Sequence, residues 1–149
     1  MVRSLEGKHP MYYEAILQLR DVKQEVHDYV MDEISQAKIP VTETKDLKNG
    51  VDIYLADSNF TNGLGKRLQK RFGGKVINTS SLFGRKDGKN IYRVTVLFRG
   101  VPVKKGDKVS YCDEPYIVKA MAKDILIQHE KSGKKVHINY QDVRQLKLA

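Results

Sequence analysis

Five cations fall within twelve positions at residues 64–75, LGKRLQKRFGGK, with no acid among them. Side chains of this type and spacing suit one kind of chemistry, which is to hold phosphates or other anions. Several cations on one rigid surface release counterions when a polyanion docks. On that basis Lys66, Arg67, Lys70, Arg71 and Lys75 are candidate RNA contacts. A purely local reading competes. Cations in the last turn of a helix oppose its dipole, by about 0.3–1 kcal/mol each when exposed, and this would account for Lys70 and Arg71. It does not explain why acids vanish as well, nor why the trend continues through Arg85, Lys86, Lys89, Arg93, Arg99, Lys104 and Lys105. Residues 58–108 hold 13 basic and 2 acidic side chains, whereas residues 1–37 hold 4 and 7. The net charge of +9 is therefore concentrated in one third of the chain, which a generic lysine-rich surface would not do.

Other chemistry is thinly supplied. The four histidines are His9, His27, His129 and His137. The last two are expected on opposite arms of a hairpin, where they could approach one another. A zinc site needs three or four ligands, and neither cysteines nor an evident carboxylate joins them, so surface or boundary histidines are the expected reading. Cys112 is the only cysteine, which excludes an internal disulfide and suits a reducing compartment. It is expected within a strand, without a neighbouring histidine to activate it. Neither GxxxxGK nor GxGxxG occurs. Glu14, Asp52 and Asp57 fit ordinary strand-face or strand-end positions. The expectation is a non-enzyme without cofactor or metal.

The elements that must carry the cations follow from periodicity. At 149 residues, 40% hydrophobic and 30% charged, the chain has the make-up of a globular protein of one or two domains. No apolar run approaches the roughly 20 residues that cross a bilayer, and MVRSLEGKHP lacks a signal-peptide apolar region, so a cytoplasmic protein is expected. YYEAILQLR at 12–20 alternates as a strand, with Tyr13, Ala15, Leu17 and Leu19 on one face. Asp21 is a candidate cap, with Gln24 as its capping-box partner, for a helix over 21–37 whose buried stripe is Val22, Val26, Tyr29, Val30, Ile34 and Ala37. Ile39-Pro40 ends it. Strands at 41–46 and 51–56 flank a Lys48-Asn49-Gly50 turn.

The cationic stretch belongs to a second helix, 58–72, capped by Ser58. Phe60, Leu64, Leu68 and Phe72 step by four along its core face, and Gly73-Gly74 closes it in left-handed fashion. Lys66, Arg67, Lys70 and Arg71 then project together from a flank. Strands 75–83 and 90–99 follow, joined by an Asp87-Gly88 turn with Arg85, Lys86 and Lys89 at the tip. The order β-α-β-β-α-β-β predicts an α+β unit over 11–99, two helices on one face of a mainly antiparallel sheet. Residues 100–109 form a basic, Gly/Pro-marked linker carrying Lys104 and Lys105. Beyond it DKVSY, PYIVKAM, DILIQH, KKVHIN and VRQLKL predict five short strands of a small barrel, 100–149, packed on the first unit.

No helix-turn-helix is evident, nor an aromatic motif of the kind RNA-recognition sheets use, although Tyr92 and Phe98 lie in the last strand of the first unit. A basic helix end with a basic hairpin tip suits shape recognition of folded RNA.

Several extended stretches carry a resemblance. YYEAILQLR at 12–20, DIYLADSNFTNGLGKRLQKRFGGKV at 52–76 and YRVTVLFRG at 92–100 resemble the middle region of the NMD-three family, and HINYQDVRQLKL at 137–148 resembles that family's last globular segment. These are archaeal and eukaryotic proteins that bind the large ribosomal subunit, and in eukaryotes serve as its nuclear export adaptor. The resemblance implies a first unit similar to a large-subunit ribosomal protein. It also implies a second unit that is an SH3-like barrel similar to the first domain of translation initiation factor five-A. In that barrel Gly106-Asp107 would open the fold, Glu114-Pro115-Tyr116 start the second strand, and 131–135 form a later turn. That factor's modified-lysine loop would fall near 121–124, where this chain has only a tight turn, so no modification carries over to Lys123. The family's paired CxxC motifs are absent, which marks the chain as a fragment or a shortened member. The absence of the eukaryotic C-terminal extension favours an archaeal-type protein and leaves nuclear export unsupported.

The expected function is therefore non-catalytic binding of the large ribosomal subunit through ribosomal RNA, in biogenesis or quality control. The barrel would add a contact to RNA or to a ribosomal protein. The alternative is a protein–protein adaptor whose barrel binds a protein partner and whose basic patch meets an acidic surface.

Overall fold

The computed structural model describes residues 12–148, apart from the side chain of Lys86. His9 and Met11, the expected first residue of the first unit, lie outside the described residues. Alternation in the first strand, β1 (Ala15–Arg20), sets the inside of the first sheet: Ala15, Leu17 and Leu19 are fully buried, and the residues between them are half-exposed. Its neighbours are β3 (Gly50–Leu55), antiparallel, and β5 (Lys89–Arg99), parallel. With β2 (Val41–Leu47) and β4 (Lys75–Lys86) at the edges, the sheet order is β2-β3-β1-β5-β4. Tyr13 precedes β1 and sets its ring edge-on against Tyr54 instead of entering the core. Both helices, α1 (Gln24–Ala37) and α2 (Ser58–Phe72), supply residues to the core over the inner face. Val26, Val30, Ile34, Leu64 and Leu68 there meet Leu17, Leu19, Ile53, Leu55, Val96 and Phe98. Each such side chain gains about 1.5–3 kcal/mol from leaving water.

The helix ends differ from the sequence expectation. Helix α1 begins at Gln24 behind Lys23, which makes no side-chain cap bond. Asp21 is no cap. It sits at φ 52°, and its carboxylate pairs with Arg99 at 2.7 Å. In α2 the cap is Asp57, whose carboxylate accepts the Phe60 N–H at 2.9 Å, one residue ahead of the expected Ser58. Thr61 and Gly65 are buried beside Leu64 and Leu68, while Phe60 and Phe72 are only partly covered. A Cβ at Gly65 would stand 2.6 Å from Val96 Cγ1, so the missing side chain is what lets α2 lie directly on β5. Gly73 ends the helix at φ 71° but ψ 126°, outside the left-handed helical well.

Strands β4 and β5 are longer than the spacing predicts and form one hairpin closed by Asp87-Gly88, both with positive φ, as a tight two-residue turn requires. Only 94–99 of β5 pair with β1. Residues 81–93 therefore run past the Ala15/Leu55 end of the sheet as an arm whose strands pair only with each other.

The second sheet joins β6 (Lys108–Tyr111), β7 (Glu114–Met121), β8 (Ile125–His129), β9 (Lys135–Ile138) and the two-residue β10 (Lys147–Leu148). The order is β10-β6-β7-β8-β9, antiparallel throughout, and no pairing of β9 with β10 closes it into a barrel. The first half of the expected fifth strand, 143–145, falls in a 3-10 turn, Tyr140–Gln145, because Tyr140, Val143 and Leu146 turn onto the core at a spacing of three that a strand cannot give; Lys147 and Leu148 do pair as a strand. Cys112 is not in a strand either. With Asp113 it forms the β6–β7 turn, at φ 52° and 63°. Val103, Val109, Tyr116, Val118, Ile125, Ile127 and Ile138 complete this second, separate core.

Candidate nucleic-acid interface

Helix α2 contains no acid between Ser58 and Phe72, and its four cations form two rows, not one. Lys66 and Lys70 stand opposite the buried stripe and are exposed. Among the described residues no carboxylate approaches them within ion-pair distance. Arg67 and Arg71 lie about 100° further round and lean toward α1. Arg67 Nε meets the Glu33 carboxylate at 3.1 Å, with its guanidinium over the Phe60 ring. Arg71 lies over the Tyr29 ring at 4.9 Å and the Phe72 ring at 5.7 Å. The four expected to project together are thus split. The lysines face solvent, and the arginines tie α2 to the acidic helix before it.

The end of α2 is where the two sheets touch. A Cβ at Gly73 would come within 2.8 Å of Met121 Cβ and 3.4 Å of the Tyr140 hydroxyl. That hydroxyl donates to the Ala122 carbonyl at 2.7 Å, and burial pushes its pKa up to about 12 against the opposing hydrogen bond from Gly74. A groove beside this contact is lined by Gln69, Lys75, Lys123, Asn139 and Gln141, so Lys75 gains a second cation, Lys123, from the other sheet. Lys104 and Lys105 are exposed in the connection between the sheets, where the Asp107 carboxylate holds the Lys104 N–H at 2.9 Å.

The arm lies elsewhere. Lys75 and Lys86 are eleven residues apart along β4, roughly 35 Å at the rise of a strand. The structure therefore separates the candidates into a helix-and-junction group (66, 67, 70, 71, 75, 104, 105) and an arm group (85, 86, 89). Arg85 and Lys89 are exposed; for Lys86 only the backbone is described. The arm also carries what the sequence expectation did not single out. The bulge between Leu82 and Gly84 turns Phe83 against Arg93, whose guanidinium is 3.6 Å from that ring and 3.9 Å from the Tyr13 ring. The adjacent apolar pair Leu82-Phe83, which breaks the strand's alternation, was the available signal.

The remaining candidates have structural places. Glu14 accepts the Ser58 N–H at 3.2 Å, and Asp52 pairs with Arg20. His129 Nδ1 accepts the Lys131 and Ser132 N–H groups, which leaves Nε2 to donate to Glu114. His137 lies beside Asp124 at 3.1 Å. The β8–β9 register sets these two histidines on opposite faces, so they do not approach each other. Among the described residues no three His, Cys, Asp or Glu gather at a metal-sized site, and no helix is long and apolar enough to cross a membrane.

The family model described as NMD3, second domain, matches residues 12–99, more than half of the chain. The match runs from the residues before β1 to the end of β5, and so covers both the α2 lysines and the arm. No curated protein matches the chain.

Proposed function

This chain belongs to the NMD3 family, and we propose that it is a non-catalytic module that binds the large ribosomal subunit through ribosomal RNA, in subunit biogenesis or quality control. The observation that carries the proposal is the solvent-facing pair Lys66 and Lys70 on a helix that Gly65 seats directly on the sheet. Two cations carried on a rigid element, with no acid along the helix, keep their charge for an outside anion, and no backbone ordering is needed to bring them to it. Lys75 and Lys123 extend the same surface across the junction. The second sheet, with its 3-10 turn ahead of a last strand that returns to β6, supports reading residues 100–149 as an open SH3-like unit beside a first unit over 11–99. That unit would supply a second contact, and the cytoplasm would be the setting.

Co-sedimentation with purified large and small subunits over a salt series tests this. The wild type is expected to pellet with the large subunit, and Lys66→Glu with Lys70→Glu to remain in the supernatant. Each phosphate that α2 no longer neutralises should lower the slope of log K against log salt by about 0.7–0.9. Equal pelleting of both proteins would move the binding surface away from α2. A complex that survives ribonuclease treatment of the subunit would favour a protein partner instead.

A further inference from the structure

The arm, residues 81–93, is built for more than phosphate contact. Its large apolar side chains face water: Leu82 is 58% exposed, Tyr92 50% and Phe83 46%. Leu82 and Tyr92 are direct cross-strand partners and so form one patch. At the bulge Arg93 is the middle layer of a stack with Phe83 on one side and Tyr13 on the other, and the Arg93 Nε donates to the Tyr13 carbonyl at 3.2 Å, fixing the guanidinium between the rings. Gly84 completes the bulge without a positive φ, and a Cβ there would meet nothing within 4 Å, so neither backbone strain nor packing within the chain calls for a glycine. Its bareness leaves the arm thin at the level of the aromatic rings. Four cations and a single acid, Asp87, share these thirteen positions.

Cations interleaved with exposed rings fit a ligand that carries negative charge and flat faces at once. An apolar protein groove would match Leu82 and Tyr92 but would leave the arm's positive charge without a counterpart. We propose that the arm binds unpaired RNA, with nucleobases stacking on Phe83 and Tyr92 while Arg85 and Lys89 hold the adjoining phosphates. This rests on the RNA-binding reading above and deepens it, because it assigns single-stranded or bulged RNA to the arm and leaves paired backbone to α2.

The test uses the full chain with two labelled oligonucleotides of equal phosphate number, a single strand and a fully paired duplex. Three proteins are compared with wild type: Phe83→Ala with Tyr92→Ala, Tyr92→Phe alone, and Lys66→Glu with Lys70→Glu. The double alanine variant should lose about tenfold or more in affinity for the single strand, with an unchanged salt slope and unchanged duplex binding. Tyr92→Phe, which keeps the ring, should bind as wild type does. Thermal melts should differ only slightly between wild type and the aromatic variants, since these side chains are about half exposed and the alanine variant gives up one ring contact, that of Phe83 with Arg93. Wild-type affinity of the alanine variant for the single strand would overturn the inference. If the α2 variant still bound RNA more weakly in that case, the RNA reading itself would stand. An alanine variant that released the ribosomal subunit but kept the single strand would place a protein against the arm, and the inference would equally fall.

Discussion

Helix α2 and the hairpin arm each carry four cations, yet their uncharged neighbours are opposite in placement. On α2 every large aliphatic side chain is buried, and what reaches solvent is charge on a fixed scaffold. On the arm the apolar side chains reach solvent with the charge, on two strands that pair only with each other and are tied to the rest of the unit through Arg93 and Tyr13. Composition makes the two regions look alike. Their surroundings suit one to a regular row of phosphates and the other to exposed bases.

The comparison is tested most severely by making the same substitution in both places. Leu68→Ala should cost about 2–5 kcal/mol in urea denaturation, because it empties a fully buried site. Leu82→Ala should stay within about 0.5 kcal/mol. Similar losses at both positions would show that the arm is packed and the contrast false.

A smaller effect probes how α2 is held at its end. Tyr140→Phe removes the hydrogen bond to the Ala122 carbonyl and should cost about 0.5–1.5 kcal/mol at neutral pH. Its pH dependence has a definite sign. The hydroxyl is held neutral to about pH 12 in the folded protein, whereas in an unfolded chain it ionises near 10. Its contribution is fully present below the unfolded value and is lost as pH rises through the folded one. The stability gap between wild type and Tyr140→Phe should therefore narrow between those limits. A gap that stayed constant there would mean that Tyr140 is not buried at the junction.

The smallest effect separates the two rows of α2. Arg67→Gln gives up a half-exposed pair with Glu33 and should cost about 0.2–1 kcal/mol, less at high salt, while leaving RNA affinity close to wild type. Lys70→Gln should do the reverse, sparing stability and weakening RNA binding. If the two substitutions affected binding alike, Arg67 would be an RNA contact despite Glu33.

Where local rules dominate, the chain announces its own structure. Alternation located β1, the Lys48-Asn49-Gly50 turn located β3, and Asp87-Gly88 located the hairpin of β4 and β5. Four-residue steps located Leu64 and Leu68. The failures have physical causes. Asp21 has the chemistry of a cap, but Arg99, 78 residues away, claims its carboxylate. Asp57 outcompeted Ser58 because two good caps stood side by side, and the backbone before the helix placed the first of them within reach of the Phe60 N–H. VRQLKL was expected as one short strand, whereas burial of Tyr140, Val143 and Leu146 at a spacing of three winds its first half into a 3-10 turn and leaves Lys147-Leu148 as the strand.

By itself the sequence determined that positive charge gathers in residues 58–108, that one helix and a hairpin carry most of it, and that a short-stranded all-β segment follows. Those are properties of composition and period, which neighbours along the chain settle between themselves. Only the tertiary structure decided which cations are left for a partner. Glu33 and Tyr29, from a helix more than thirty residues earlier, take Arg67 and Arg71; Tyr13 and Phe83 take Arg93; and the rise of β4 sets the arm apart from the helix. A cation's availability depends on what lies within a few ångströms of it, and that distance is fixed by packing between segments remote in sequence.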